Sequence, residues 1–306
     1  MNNSIAVVIP TKDRPDDLRT MLASLGAQTR RPDQVIVVDG SDPDIRHVVE
    51  AFPELGIDYV RVFPPSLSRQ RNAGMARLRE GISLAGYLDD DLVLEPEAVE
   101  RMMSFWEGAD STVGGAAFSI TNFPAPRHVP LKSLFWIDSA KPGRVLPSGV
   151  VSSLMCEGGD LETDWLCGGA TIWRREVIDT YRYDEWYQGT GFLEDVDYSF
   201  SVRERYRLFL VASARLAHYS HPVRPERQFL LGKWQIVNRM RLVRKFRSRG
   251  LSPWKSWVAS VALTALNFGQ ALVARDGQYL NRARGNFAGL FSELSGRREQ
   301  IGGHLK

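Results

Sequence analysis

The chain has 306 residues, with 39 Lys+Arg against 36 Asp+Glu for a formal net charge of +3, and it is 43% hydrophobic and 25% charged. These values lie near the globular average, which excludes a disordered, collagen-like or multi-span membrane chain. The length admits one large domain or one domain with an appendage, and a net +3 carries no global nucleic-acid signature.

Two cysteines, Cys156 and Cys167, have no CxxC spacing, so neither a zinc site nor a redox pair is expected, and a reducing compartment is the default. Met1-Asn2-Asn3-Ser4 precedes a short apolar run without a basic leader, so no secretory signal is expected. The expected location is the cytoplasm, including the cytoplasmic face of a membrane.

In chain order, the first ninety residues alternate between two patterns. Ile5–Ile9, Val35–Val38, Ile57–Phe63 and Ile82–Leu88 are short apolar runs, read as strands buried on both faces of a parallel sheet. Between them Asp16–Ala27, Asp42–Phe52 and Ser68–Glu80 carry helical spacing, and Glu95–Trp106 follows as a further helix. A βαβαβαβ order means right-handed crossovers and a doubly wound α/β sheet. Phe123–Ser153 is rich in Pro and Gly and reads as a surface excursion near the site. Glu194–Tyr206 is helical, and Leu208–Ala212 is a short strand. From residue 225 onward the pattern is all helix, roughly 226–248, 253–274 and 277–295. The division expected is an α/β domain over 1–224 and a basic, amphipathic helical region over 225–306.

In open α/β sheets ligands bind beyond the carboxyl ends of the strands. Pro10-Thr11-Lys12-Asp13-Arg14-Pro15 follows the first run, Asp39-Gly40-Ser41-Asp42 the second and Asp89-Asp90-Asp91 the fourth. Three adjacent carboxylates repel one another, and as oxygen donors they suit Mg2+ or Mn2+ bridging to substrate phosphates. No GxGxxG follows the first strand and no GxxxxGK[ST] occurs, against a dinucleotide or P-loop fold. Gly189–Tyr198 is a Gly-hinged loop feeding an acidic helix start. Its carboxylates serve either as caps or as a general base. His218 and His221 follow the last short strand and are candidate cation ligands.

In order, Val8-Ile9-Pro10-Thr11-Lys12-Asp13-Arg14-Pro15, Val38-Asp39-Gly40-Ser41, Arg71-Asn72-Ala73-Gly74, Leu88-Asp89-Asp90-Asp91, Gly168-Gly169, Leu193-Glu194-Asp195-Val196-Asp197 and the terminal His resemble the family 2 glycosyltransferases of the GT-A fold. The resemblance covers about residues 1–222. It implies a GT-A-type, mostly parallel doubly wound sheet with a C-terminal helical appendage, a nucleotide-sugar donor, Mn2+ or Mg2+, and an inverting single displacement. It implies that Thr11 and Asp39 meet ribose and base, Arg14 and Arg71 meet base or phosphate, and Asp89 and Asp90 lie on the ribose and diphosphate side. Pro10 and Asn72 fall in the same donor-side strings. Asp91 resembles the direct metal ligand and His218 the second one, with His221 as its alternative. Asp195 resembles the general base, Glu194 an acceptor contact, and Trp165, Gly168 and Gly169 the acceptor lining. The segment Gln228–Trp234 lacks the QxxRW pattern of processive synthases, which favours single additions to a glycan or lipid-linked glycan, as in polysaccharide biosynthesis. Asp39 would suit a uracil or thymine imide, hence UDP or dTDP. A nucleotidyltransferase on a similar sheet and a non-catalytic, membrane-associated nucleotide-binding protein are the alternatives.

Arg224–Arg249 holds nine basic residues against Glu226 alone, and Ser256–Ala274 carries no charge. Membrane-surface contact through 226–274, packing on protein and a true span are all open readings, as is a homodimer. No nucleic-acid motif is present.

Overall fold

A computed structural model of the chain describes residues 3–124, 128–156, 158–189 and 191–296. The described residues divide into two compact units. One comprises Met1–Ala125 and Leu154–Ser220, the other Pro126–Ser153 and His221–Lys306.

In the first unit the elements run β1 (Ile5–Thr11), α1 (Pro15–Gly26), β2 (Gln34–Asp39), α2 (Arg46–Val49), β3 (Asp58–Arg61), α3 (Leu67–Met75), β4 (Leu84–Leu88), β5 (Leu92–Leu94), α4 (Ala98–Gly108) and β6 (Val113–Ile120). After the segment that belongs to the second unit, which carries the short helix α5 (Pro130–Ser133), come β7 (Leu161–Thr163), β8 (Ala170–Arg174), α6 (Arg175–Thr180), α7 (Glu194–Val202) and β9 (Arg207–His218).

The strands form one sheet in the order β3-β2-β1-β4-β8-β6-β9-β5, with β7 paired to β9. The β3-β2-β1-β4 half is parallel, whereas β8 runs antiparallel to both β4 and β6. Every residue of β1, β2 and β4 is buried. Val7, Ile9, Val35 and Val37 join α1 and α4 in one core, and Ala6, Val8, Ile36 and Val38 join Tyr87, Trp173 and Tyr198 in another. Alternate residues thus feed opposite faces, the reason those runs read as uniformly apolar.

Several expected boundaries move. β3 is an edge strand, half-buried rather than buried on both faces. Helix α3 stops at Met75 because the Gln34 side chain takes over the chain beyond it, donating to Arg77 O at 2.9 Å and accepting from Arg79 N at 3.0 Å. The strand foreseen at 208–212 extends over twelve residues, as polar positions facing solvent masked its length.

The second unit is built on α8 (Gln228–Lys245), α9 (Pro253–Ala274) and α10 (Gly277–Leu294). Helices α8 and α10 approach backbone to backbone. A Cβ at Gly232 would lie 2.1 Å from Arg282 O, and one at Gly285 would lie 1.9 Å from Phe229 O. Asn286 donates to Gly232 O at 2.9 Å and accepts from Asn267 of α9 at 2.7 Å. Residues 126–153, expected within the first domain, pack here. Trp136 meets Trp254 edge-on at 5.1 Å, Ser252 N donates to Pro147 O at 2.7 Å, and Gly149 lies against Arg239 and Val243. Helix α8, expected to be basic and amphipathic, buries Ile236, Val237, Met240, Leu242, Val243 and even Arg239, whose pKa burial pushes down to about 10.

Candidate active site

The site is assembled where β1, β2 and β4 end. Thr11, the last residue of β1, is buried and donates its hydroxyl to Asp90 Oδ2 at 2.7 Å. Arg14, one residue before α1, bridges the acidic run, reaching Asp90 Oδ1 at 3.0 Å and Asp91 Oδ2 at 3.1 Å. Burial pushes the Asp90 pKa up to about 7 despite Arg14 and the Thr11 hydroxyl, and Asp89 and Asp91 add to the rise.

The β5–β9 pairing delivers the histidine. Leu92 stands opposite His218, and Tyr219 N donates to Asp91 O at 2.9 Å. Asn122 grips the His218 backbone from both sides. His218 Nε2 thereby lies 3.0 Å from Asp91 Oδ1. Burial of Asp91 and of His218 opposes their charged forms. The pairing outweighs it, so the carboxyl is held below its ordinary range and the imidazole above. His221 belongs to the second unit.

Asp91 and His218 meet the requirements of a hard cation in part. Among the described residues no three His, Cys, Asp or Glu side chains gather into a complete cage. Yet buried Asp91 Oδ1 accepts no well-directed hydrogen bond although the imidazole nitrogen is 3.0 Å away. Two ligands at right angles on bonds of about 2.1 Å lie about 3.0 Å apart, and octahedral Mg2+ takes few protein ligands, filling the rest with water and phosphate oxygens. The pair therefore fits two neighbouring corners of such a shell.

On the other side of the Asp89 turn stands the helix α7. Leu193, before its first turn, holds the left-handed conformation at φ 69°, a strained placement for a branched residue. Asp195 accepts from Gly168 N at 3.2 Å and from Val196 N at 2.8 Å. Burial raises the Asp195 pKa against the opposing Arg71 charge. Glu194, also buried, is raised to about 7 by desolvation and by Asp195 beside it. The Gly168-Gly169 pair separates the two acidic clusters. Gly169 O accepts from Asp89 N at 2.8 Å, and a Cβ on either glycine would strike Arg71 and Asp195 or the Asp89 carboxylate.

Arg71 ties these clusters together. From inside α3 it reaches Glu194 Oε1 at 3.1 Å and Asp89 Oδ1 at 3.3 Å, its guanidinium 5.0 Å from the Tyr183 ring.

The model of the family described as Glycosyl transferase family 2 matches residues 6–147. The match places the likeness to that family in the first half of the chain. The matched segment contains Thr11, Arg14, Asp39, Arg71 and Asp89–Asp91, and the β8, α7 and His218 parts of the site lie beyond it. No curated protein matches the chain. Among solved structures the chain resembles the mannosyltransferase PcManGT from Pyrobaculum calidifontis in complex with GDP-Man and Mn2+, at 15% identity and a TM-score of 0.58, over 96% of this chain and 88% of that one. It also resembles TarS from S. aureus at 13% identity and a TM-score of 0.51, covering 88% of this chain but only 44% of the length of TarS. TarS 1-349 in complex with UDP matches at 15% identity and 0.51, over 99% and 93% of the two chains. These likenesses establish a GT-A glycosyltransferase fold.

Within this fold the expected site residues divide. Thr11, Arg14, Asp89, Asp90, Asp91, Gly168, Gly169, Glu194, Asp195 and His218 form one connected cluster, and buried Pro10 lies in β1 just before Thr11. Asp39 serves its own loop. Fully buried, it accepts from Ser41 N at 2.8 Å through Oδ1 and from Ile45 N at 3.2 Å and the Tyr59 hydroxyl through Oδ2. Arg71 is only 1% exposed and acts as an internal strut instead of presenting itself to base or phosphate. Asn72 turns away from the strand ends to hold Tyr183 through both its amide nitrogen and oxygen. The backbone carbonyl of Trp165 accepts from the Thr163 hydroxyl at 2.8 Å.

Sequence reasoning missed Gln70, Tyr59 and Asn122. Buried Gln70 donates to Thr11 O and Val38 O, both at 2.9 Å, and so locks the ends of β1 and β2 together. Its adjacency to Arg71 was the one available signal.

Proposed function

We propose that the first unit is an inverting, metal-dependent glycosyltransferase that moves a sugar from a nucleoside-diphosphate donor to a hydroxyl of a glycan or lipid-linked glycan. The observation that carries this reading is the buried Asp195 carboxylate, held by Gly168 N beside Glu194, which Arg71 ties to Asp89 next to the Asp90–Asp91–His218 cluster. An inverting displacement needs a base at the acceptor and charge neutralisation at the leaving diphosphate. Asp195 takes the acceptor hydroxyl proton as the acceptor oxygen forms its bond to the anomeric carbon and the bond to the diphosphate oxygen breaks. Asp91 and His218 would hold a divalent cation, which when bound offsets the diphosphate's negative charge. Arg14, half-exposed above Asp90 and Asp91, orients those carboxylates. Glu194, fixed by Arg71, keeps a second acidic group at the acceptor side. The UDP, GDP-Man and Mn2+ held by the structural relatives support a nucleotide-sugar donor and a cation here.

The test is a panel of nucleotide sugars assayed for transfer or donor hydrolysis with Mn2+. Asp195→Asn is expected to lower turnover by about 10²–10⁴ with donor binding retained. Asp91→Ala is expected to abolish the Mn2+ dependence of donor binding. Full turnover in Asp195→Asn would refute the base assignment. Release of pyrophosphate from a nucleoside triphosphate would instead indicate a nucleotidyltransferase.

A further inference from the structure

The second unit is chemically unlike the first. It carries 20 Lys+Arg against 5 Asp+Glu, a net +15, whereas the first carries 19 against 31, a net −12. It also leaves apolar side chains in the open. Leu131 is 66% exposed on α5, Leu272 and Val273 80% and 88% on α9, and Phe287 and Phe291 above 60% on α10. Val273 and Leu272 are the most exposed large apolar side chains among the described residues, and the group is arranged rather than scattered. Leu131, Phe135, Leu266 and Val273 line a groove of about 680 Å³ with Lys132 in its wall, and Phe268, Phe287 and Phe291 line a shallower one with Arg284. Lys255 sits over the Trp136 and Trp254 rings at 5.0 and 5.7 Å, an aromatic-cation cluster of the kind favoured between hydrocarbon and water.

Helix α9 is long and apolar enough to cross a membrane by length and composition. Its inner face argues for lying along one instead. Ser256, Ala259, Ser260 and Thr264 form a buried stripe of small residues, and Asn267 bonds Asn286 of α10. A spanning orientation would strip these contacts, while the opposite face, with Val261, Leu266, Leu272 and Val273, stays exposed among the described residues.

We propose that this face docks on an anionic lipid bilayer, with α5, the outer sides of α9 and α10 and the two grooves seated at the boundary between headgroups and acyl chains. Charge selects the occupant. A second copy would bring Lys132, Lys255 and Arg284 against the same basic side chains of a unit with net charge +15, whereas an anionic leaflet supplies hydrocarbon for the apolar residues and phosphate for those three. The surface is thus carried by α5, α9 and α10, not by the buried α8. It stands independently of the transferase reading.

The full chain is mixed with phosphatidylcholine vesicles containing no or about 30% phosphatidylglycerol, in about 50 mM and about 500 mM NaCl, and sedimented. Binding to the anionic vesicles that weakens with salt is expected. Leu272→Glu/Val273→Glu should weaken it by about tenfold or more, with the melting temperature and donor hydrolysis unchanged. Lys132→Glu/Arg284→Glu should remove the preference for phosphatidylglycerol. Absence of vesicle binding at low salt, or binding unaffected by the two glutamates, would overturn the proposal. So would a solution dimer that those glutamates dissociate, or vesicle association that only detergent reverses.

Discussion

Asp195 and Glu194 are two adjacent carboxylates buried beside one guanidinium, so they titrate as a pair. Both are raised, which means protons bind them at higher pH than a free carboxylate, near 4. A base must be unprotonated to act, so activity is lost as pH falls through the raised range. The acid limb of kcat/KM is therefore expected above the ordinary carboxylate range. Glu194→Gln removes the like charge and leaves Arg71 freer to favour the Asp195 anion, and both effects move that limb to lower pH. A pH–rate profile of the two proteins checks the direction, and a limb that stays or rises would contradict the pairing. Cys167, close by, has its thiol pushed up to about 12 by burial and by the Asp195 and Asp89 charges, so it is inert and leaves the profile to the carboxylates. At this scale the sequence displayed which groups carry charge, since Asp89–Asp91 and Glu194-Asp195 stand at element ends. It did not display direction. Nothing local to Arg71 or Asn72 tells that one points inward at Glu194, 123 positions away, and the other at Tyr183.

Helix α10 meets α8 through glycines that have no room for a methyl group. Glycine to alanine in a helix interior ordinarily stabilises by about 0.5–1 kcal/mol. At Gly285 the new Cβ would fall 1.9 Å from Phe229 O, so the helices must separate, and overpacking of this kind costs about 1–3 kcal/mol or more. Gly285→Ala is therefore expected to lower stability while Gly269→Ala in α9, with open space around it, is expected to raise it. Urea unfolding followed by the tryptophans distinguishes the two signs. The same contacts explain what periodicity conveyed. The three C-terminal helices were visible from spacing and appear almost at the expected residues, because each buries one face. The depth of α8 was not visible, since its interleaved basic and apolar residues fit membrane contact and packing on protein alike. β5, β6, β7 and β8 were not foreseen; β5 and β7 have three residues, too few to show alternation, although β5 is what brings His218 to Asp91, while β6 carries Gly114-Gly115-Ala116-Ala117 and the residues of β8 read as the start of a helix.

For the molecule as a whole, the ordered motifs at the ends of β1, β2 and β4 conveyed the α/β catalytic fold, whereas the affiliation of 126–153 depended on partners about a hundred residues further on. Those residues lie inside the first unit's sequence yet pack with the last. A chain ending at Ser220 would keep every strand of the sheet and leave 126–153 without Trp254, Arg239 and Val243. Limited trypsinolysis is expected to cut at Arg144 in that truncation and to spare it in the full chain; equal resistance would mean the segment is held without the helices. The threading also orders events on the ribosome. The sheet has all of its strands once Ser220 has emerged, while 126–153 waits as an unpaired loop, its Trp136 uncovered, until α8, α9 and α10 have followed. Such a waiting loop is a target for chaperones or proteases. Emergence of the three helices therefore serves as a checkpoint on the segment threaded before them, built into the connectivity.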